Sequence, residues 1–202
     1  MMADTYRTIK EPSEGSFKEK GSRFLAYAFP VRNEEEIKEI LAELRKQYHD
    51  ARHHCYAWRL NAEMDHYRSN DDGEPAGSAG NPILGQIRSK ELTNTLVVVI
   101  RYFGGTLLGV GGLINAYRTA AEDALANAKI IQKKVQRKWQ LKFGYPQMNE
   151  VMKVIKEHDL QTENQQFDLE CSLTVSLWKK MEGPLIKRFR RIENCQLEKL
   201  EQ

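Results

Sequence analysis

A carboxylate cluster and a glycine-rich stretch hold the residue types in this sequence that could carry chemistry. The motif DDGEPAG places Asp71, Asp72 and Glu74 close together, and carboxylates grouped in this way bind hard cations or act as general acids and bases. The spacing of calcium-binding loops is absent, whereas Gly73 and Pro75 are typical of a tight turn. We therefore favour a charged turn over a metal site, and we predict no metal and no other cofactor.

The glycine-rich stretch RYFGGTLLGVGGLINAY, residues 101–117, matches neither of the two common nucleotide-binding templates. Gly109 and Gly111 begin a dinucleotide-binding fingerprint, but Ile114 stands where its third glycine is required. The P-loop spacing also occurs, but Val110 and Gly111 replace the lysine that reaches a phosphate and the hydroxyl that holds magnesium. Neither phosphate-binding motif is therefore predicted.

Two interpretations of these glycines stay open. The backbone N–H groups at the start of the following helix are able to bind an anion. Alternatively, the glycines permit turns with positive φ and a close approach of the helix to a strand. We favour the second interpretation because Leu107, Leu108 and Leu113 indicate a loop that folds onto the core.

The stretch RHHCYAW, residues 52–58, places a cysteine beside two histidines, but its pattern predicts a strand. Neighbouring side chains of a strand point to opposite faces, so His54 and Cys55 do not form a nucleophile–base pair. One face of this strand either stacks on nucleic acid or packs inside the protein. That face carries Arg52, His54, Tyr56 and Trp58.

The elements around these motifs predict one α/β unit over residues 1–132. The run TLVVVIRYF is typical of a strand that is buried on both faces, and Asn33 followed by Glu36 is typical of a helix N-terminus. After the glycines, a helix is predicted from about Leu113, with alanines on its inner face. We expect a loose or edge segment over residues 1–15 and a loop over residues 61–82, and a short segment over residues 83–89 leads to the next strand.

Residues 133–202 have the pattern β-α-β-β-α-β, which predicts a ferredoxin-like domain. Its second helix is expected to open at Gly183-Pro184. This part holds 14 Lys and Arg against 10 Asp and Glu, whereas residues 1–132 hold 17 against 18. The basic stretch KKMEGPLIKRFRR, residues 179–191, is therefore a candidate phosphate-binding surface, and a merely solvated surface is the alternative.

Composition predicts a cytoplasmic protein without a membrane partner. No stretch approaches the roughly 18 apolar residues of a membrane span, and the first residues lack the apolar core of a signal peptide. Cys55, Cys171 and Cys195 are too few and too scattered for a disulfide framework or a zinc site. We expect them to be reduced thiols.

Four ordered stretches together resemble the signature of the IMPACT/YigZ family: KGSRFLAYAFPV, DARHHCYAW, DDGEPAGSAGNPIL and VVVIRYFGGTLLGVGGLINAY. The resemblance covers about residues 16–130, and the second unit resembles the C-terminal domain of the bacterial members. The positions that match the family motif are Asp71, Asp72, Gly73, Glu74, Pro75, Gly77, Arg101, Gly104, Gly105, Gly109, Gly111 and Gly112.

The resemblance implies an α+β fold class in two domains. The N-terminal domain would resemble the fourth domain of elongation factor G, and the ferredoxin-like domain would resemble the last domain of that factor. The eukaryotic relatives regulate translation. The kinship of the fold to domains of that elongation factor implies a nucleic-acid or ribosome partner here by fold-level analogy. The resemblance supplies no catalytic assignment for the matched positions.

Three functions follow from the residues and the resemblance. We favour a non-enzymatic, translation-linked regulator that binds RNA or the ribosome. The first alternative is an enzyme in which Asp71, Asp72 and Glu74 share a cleft with the glycine-rich loop and take a phosphorylated or metal-bound substrate. The second alternative is a protein-interaction module. The candidate nucleic-acid contacts are Arg52, His54, Arg101, Arg118, Lys179, Lys187, Arg188, Arg190 and Arg191.

Overall fold

The computed structural model describes residues 4–200. Two compact units divide the chain, one that ends at Lys133 and one that begins at Lys134. Both units combine helices with antiparallel sheets, which confirms the predicted mixed fold class. Among the described residues, no helix combines the length and the apolar character that crossing a membrane requires.

The first unit is built on an antiparallel five-stranded sheet in the order β2-β3-β6-β4-β5, and a two-stranded sheet pairs β1 with β7. Three helices accompany these strands. The elements are β1 (Thr5–Ile9), β2 (Ser13–Glu19), β3 (Ser22–Pro30), α1 (Glu34–Gln47), β4 (His53–Leu60), β5 (His66–Asn70), α2 (Gly80–Ser89), β6 (Thr95–Tyr102), α3 (Gly109–Ala126) and β7 (Ile130–Lys134).

The five-stranded sheet separates two apolar cores. Val97 and Val99 of β6 pack on one side with residues of α2 and α3. Leu96, Val98 and Ile100 pack on the other side with residues of α1. This alternation explains the unbroken apolar run in β6, because a central strand that is covered on both faces needs apolar side chains at every position. The predicted doubly buried strand is confirmed.

Local signals fix the start of α1 as predicted. The Asn33 side chain accepts a hydrogen bond from the Glu36 N–H at 2.9 Å, and the Glu36 carboxylate accepts one from the Arg32 N–H at 2.8 Å. These two bonds satisfy backbone donors that the first helical turn cannot pair internally.

Two expectations for this unit are wrong: the predicted loop over residues 61–82 contains β5, and α3 begins at Gly109 rather than near Leu113. The first fifteen residues hold all of β1 and the start of β2, and β2 is an edge strand of the five-stranded sheet, as one of the two alternatives for this segment requires. The short segment over residues 83–89 belongs to α2. β5 has few apolar residues and forms a strand because it pairs with β4. The local sequence does not reveal such a pairing.

The second unit has the element order and the strand order β11-β8-β10-β9 of a ferredoxin-like fold, as predicted. One face of its sheet packs on the two helices through residues such as Leu141, Leu173 and Val175. The helix expected to open at Gly183-Pro184 begins earlier, so that Pro184 lies inside it. The elements are β8 (Gln136–Gly144), α4 (Met148–Glu157), β9 (Gln161–Phe167), β10 (Glu170–Trp178), α5 (Lys179–Phe189) and β11 (Gln196–Lys199), with a short 3-10 turn at Tyr145–Gln147.

Candidate functional site

The acidic motif of the first unit begins with an aspartate that holds the start of α2. The Asp71 carboxylate accepts hydrogen bonds from the backbone N–H groups of Gly77, Ala79 and Gly80 at 2.8–3.0 Å. Burial disfavours ionisation of this carboxylate, but the three donors outweigh burial and hold the pKa of Asp71 below its usual value. The side chain therefore serves as the missing N-terminal cap of α2.

The second aspartate ties the same loop to β4 and α1. The Asp72 carboxylate accepts hydrogen bonds from the His54 N–H at 2.7 Å and from Arg45 at 2.8 Å. The Asp72 carbonyl is also 2.8 Å from Nδ1 of His53. Burial again opposes ionisation, yet Arg45 and the His54 N–H lower the pKa of Asp72.

Glu74 belongs to a buried polar cluster on the α2 and α3 side of the sheet. Its Oε1 accepts hydrogen bonds from Arg101 at 2.6 Å and from the Tyr117 hydroxyl at 2.7 Å. The side chains of Arg101 and Glu74 are only 7% and 4% exposed. Cys55 completes the cluster, with Sγ 3.3 Å from the Tyr117 oxygen.

This cluster gives weak support to the enzyme hypothesis. Glu74 does lie beside Arg101, as that hypothesis requires, but each of the three motif carboxylates is already bonded to protein donors. Burial raises the pKa of Cys55, so its thiol stays protonated and is a poor nucleophile. Within the described residues, no group of three metal-ligating side chains is placed to hold a metal ion. The arrangement is suited to fixing the loop in place.

The glycine-rich segment between β6 and α3 lies at the surface. Gly104 approaches Gly21 so closely that an added Cβ would be 1.9 Å from the Gly21 carbonyl carbon. Gly109 starts α3 with a φ of +71°, a conformation that favours glycine. The positive-φ part of the favoured interpretation is correct at Gly109, whereas the close approach at Gly104 is to the connection between β2 and β3 and not between the helix and a strand.

The expectation that this loop folds onto the core is wrong for much of it. Leu113 is buried and Leu108 packs against the core, but Leu107 is 84% exposed. Phe103 and Val110 are also more than half exposed, and Ile114 is 37% exposed. We call these exposed apolar residues, Phe103, Leu107, Val110 and Ile114, the apolar loop surface.

The aromatic face of β4 packs inside the protein and does not stack on a ligand. Tyr56 and Trp58 belong to the core that α1 covers, and His54 on the same face is 4% exposed. Burial, followed by the nearby Arg45 charge, lowers the pKa of His54, so the ring is neutral near pH 7. Arg52 is the exposed member of this face.

The remaining candidate contacts fall into two groups. Arg101 and His54 are both buried, so neither presents a charge at the surface for a nucleic acid to contact. Arg118 is exposed and donates a hydrogen bond to Asn115. The others lie on or just after α5: Lys179, Lys187, Arg188, Arg190 and Arg191.

The C-terminal end of α5 carries exposed cations. Arg188 is paired with Glu157 and also contacts His158. Lys187, Arg190 and Arg191 are exposed, and none of them forms an ion pair within residues 4–200. We call these three residues the α5 cation group.

Two features of the structure were not predicted from sequence. The hydrogen bond between Glu74 and Tyr117 joins a loop to a helix, a contact between distant residues that no local pattern reveals. Trp178, which lies next to α5, was not singled out because a lone tryptophan carries no motif. The contact of Lys134 and Lys180 with its ring could not be inferred from their spacing in the sequence.

Comparison with known proteins places the chain in a family. Residues 20–125 match the Impact N-terminal domain, which includes the acidic motif and the glycine-rich segment. Over 157 residues the chain is 35% identical to "IMPACT family member YvyE" of Bacillus subtilis, covering 77% of this chain and 72% of the relative. It is 34% identical over 160 residues to "IMPACT family member YigZ" of Escherichia coli, covering 78% of each.

A solved structure described as that of an hypothetical protein has the same fold over its whole length. It is 29% identical to this chain, covers 99% of both chains and aligns with a TM-score of 0.79. The family match, the two bacterial relatives and the shared two-domain structure agree with one another. The chain belongs to the IMPACT family and is of its bacterial type.

Proposed function

We propose that this chain is a non-enzymatic protein that binds RNA, including the RNA of the ribosome, and takes part in the regulation of translation. The observation that carries the proposal is the α5 cation group: Lys187, Arg190 and Arg191 are exposed and have no acidic partner within the described residues. When exposed cations without an acidic partner contact the phosphates of a nucleic acid, counterions are released from the nucleic acid, and this release favours binding. Arg52 and Arg118 are further exposed contacts on the first unit.

The regulatory part of the proposal is supported by the family. The signature that the chain carries resembles that of proteins whose eukaryotic members regulate translation, and the chain belongs to the same family. The three cysteines are free thiols, which fits the reducing cytoplasm in which ribosomes work. We therefore propose the cytoplasm as its location.

Co-sedimentation with ribosomes and with purified RNA, from low to high salt, tests the proposal. We expect binding at low salt that weakens as salt rises. A variant with Lys187→Gln, Arg190→Gln and Arg191→Gln should lose most of this binding. A control with Lys38→Gln, Lys153→Gln and Lys156→Gln removes the same charge from exposed positions and should retain it. Equal binding by parent and α5 variant would refute the assignment.

The apolar loop surface favours a second candidate, a protein-interaction module. Phe103, Leu107, Val110 and Ile114 form an exposed apolar set within the matched family domain, and such patches are common at protein–protein interfaces. This function needs no chemistry from the carboxylates of the acidic motif.

A variant with Leu107→Ser and Val110→Ser tests the second candidate. Proteins that co-purify with the parent chain should be lost from this variant, as identified by mass spectrometry. The control is Leu169→Ser, which removes a 94% exposed leucine from the second unit. Loss of the same proteins from both variants, or from neither, would count against the apolar loop surface.

A further inference from the structure

A cavity in the second unit lies beside an aromatic ring that two lysines contact. The cavity has a volume of about 360 Å³, within the range of small-molecule sites. Trp178, the last residue of β10, lines it together with Met181 and Leu185 of α5. The half-buried indole therefore offers an apolar surface to whatever occupies the cavity.

The two lysines place positive charge against this ring. Nζ of Lys134 is 4.5 Å from the centre of the Trp178 ring, and Nζ of Lys180 is 5.7 Å from it. Both lysines are exposed, and neither forms an ion pair in the part of the chain that the structure describes. Their ammonium groups are held near the indole by cation–π attraction and remain able to meet an anion.

Polar groups complete the lining. Gln136 lies opposite Trp178 in the pairing of β8 with β10, and Gln161 lies opposite Ser176 in the pairing of β9 with β10. Amide side chains of this kind both donate and accept hydrogen bonds, as the edges of nucleobases require. The lining also includes His158 and one carboxylate, Asp159.

We infer that this cavity, the Trp178 site, binds one nucleotide of a single-stranded RNA, an inference that rests on the proposed RNA-binding function. The base stacks on the Trp178 indole, and its phosphates contact Lys134 and Lys180. Gln136 and Gln161 line the same cavity, and in this inference their side chains contact the base edge. Bases in a duplex are already stacked and paired, so double-stranded RNA does not fit the site.

Fluorescence anisotropy of the full chain with a labelled ten-nucleotide single-stranded RNA tests the inference. Trp178→Ala should weaken binding about tenfold, because one stacking contact is lost, whereas Trp178→Phe should stay within about threefold of the parent. Lys134→Gln with Lys180→Gln should also weaken binding. Lys153→Gln with Lys156→Gln, which removes two exposed lysines from α4, should not. Circular dichroism of each variant confirms that it is folded.

Two further arms define the ligand. A duplex of the same sequence should bind more weakly than the single strand, and equal binding of both would overturn the inference. Free uridine monophosphate should bind far more weakly than the strand; affinity equal to that of the strand would overturn the assignment to RNA in favour of a free nucleotide.

A photo-crosslink tests the site without relying on any substitution. RNA that contains 4-thiouridine should crosslink to the tryptic peptide that holds Trp178, and a crosslink confined to other peptides would overturn the inference. Parent-like binding by Trp178→Ala, with binding lost in the α5 variant, would refute the Trp178 site while the proposed function stands. Absence of RNA binding by the parent chain would refute both.

Discussion

Glu74 is the residue on which the acidic motif depends most. Its carboxylate joins a loop to β6 through Arg101 and to α3 through Tyr117, and both side chains of the ion pair are shielded from water. The guanidinium also lies 5.5 Å from the ring centre of Phe24 and 5.6 Å from that of Phe103. A buried charge that loses its partner is costly, because water cannot replace the lost bond.

The substitution Glu74→Ala should therefore lower the free energy of unfolding by about 3–5 kcal/mol. It leaves the Arg101 guanidinium buried without its carboxylate and the Tyr117 hydroxyl without its acceptor. Urea unfolding at neutral pH measures the change. Glu34→Ala is the control, since it removes a carboxylate from an exposed pair with His66 and should cost less than about 1 kcal/mol. Similar losses in the two variants would contradict a structural role for Glu74.

His54 makes stability depend on pH. Burial, followed by the charge of Arg45 and, more weakly, the neighbouring His53, lowers the pKa of His54 below its ordinary value of 6.5, while Asp72 acts in the opposite direction. The unfolded chain then binds a proton at this residue more readily than the folded chain does. The free energy of unfolding should therefore decrease as the pH drops below about 6.5, because protonation of the His54 ring is less favourable in the folded chain than in the unfolded chain.

Urea midpoints of the parent chain at about pH 7 and about pH 5 measure this effect. The urea midpoint of the parent should be lower at the more acid pH. This decrease should be smaller for His54→Gln, because glutamine cannot titrate. The lowered pKa values of Asp71 and Asp72 act at more acid pH, so they do not mask the result. Equal pH dependence in His54→Gln and the parent would contradict the assignment.

At the scale of elements, the predictions succeeded where the signal is local. Asn33 and Glu36 lie three residues apart at the start of α1, and β6 is apolar without a break from Leu96 to Ile100, so both patterns are complete within a short window. β5 was missed because its exposed residues form a strand only through pairing with β4. The exposure of Leu107 was missed because a leucine in a loop predicts burial unless the path of the backbone is known.

The glycine-rich segment offers a test at this scale. Gly104→Ala should destabilise the chain by about 1–3 kcal/mol, because its Cβ would overlap the backbone of Gly21. Gly111→Ala, in the first turn of α3, meets open space and should stabilise the chain by up to about 1 kcal/mol through helix propensity. Thermal unfolding of the two variants measures the contrast. Equal effects of the same sign would contradict the close approach of Gly104 to Gly21.

For the molecule as a whole, the two-domain organisation could be predicted from the sequence. The α5 cations are consecutive enough in sequence to be recognised as a group. The Trp178 site was not predictable from the sequence. Trp178 of β10 pairs with Gln136 of β8, and this pairing brings Lys134, two residues before Gln136, close to the ring. His54 and Arg101 were predicted as contacts from their type alone, and sequence gives no sign that both are buried.

The salt dependence of the affinity for RNA is the most direct test of whether the α5 cation group binds RNA. The full chain is titrated with a single-stranded RNA at several salt concentrations, beside the variant with Lys187→Gln, Arg190→Gln and Arg191→Gln. Each lost phosphate contact removes about 0.7 from the slope of log affinity against log salt, so the variant's slope should be shallower by about 2. An α5 variant with the parent's affinity and the parent's slope would contradict the account.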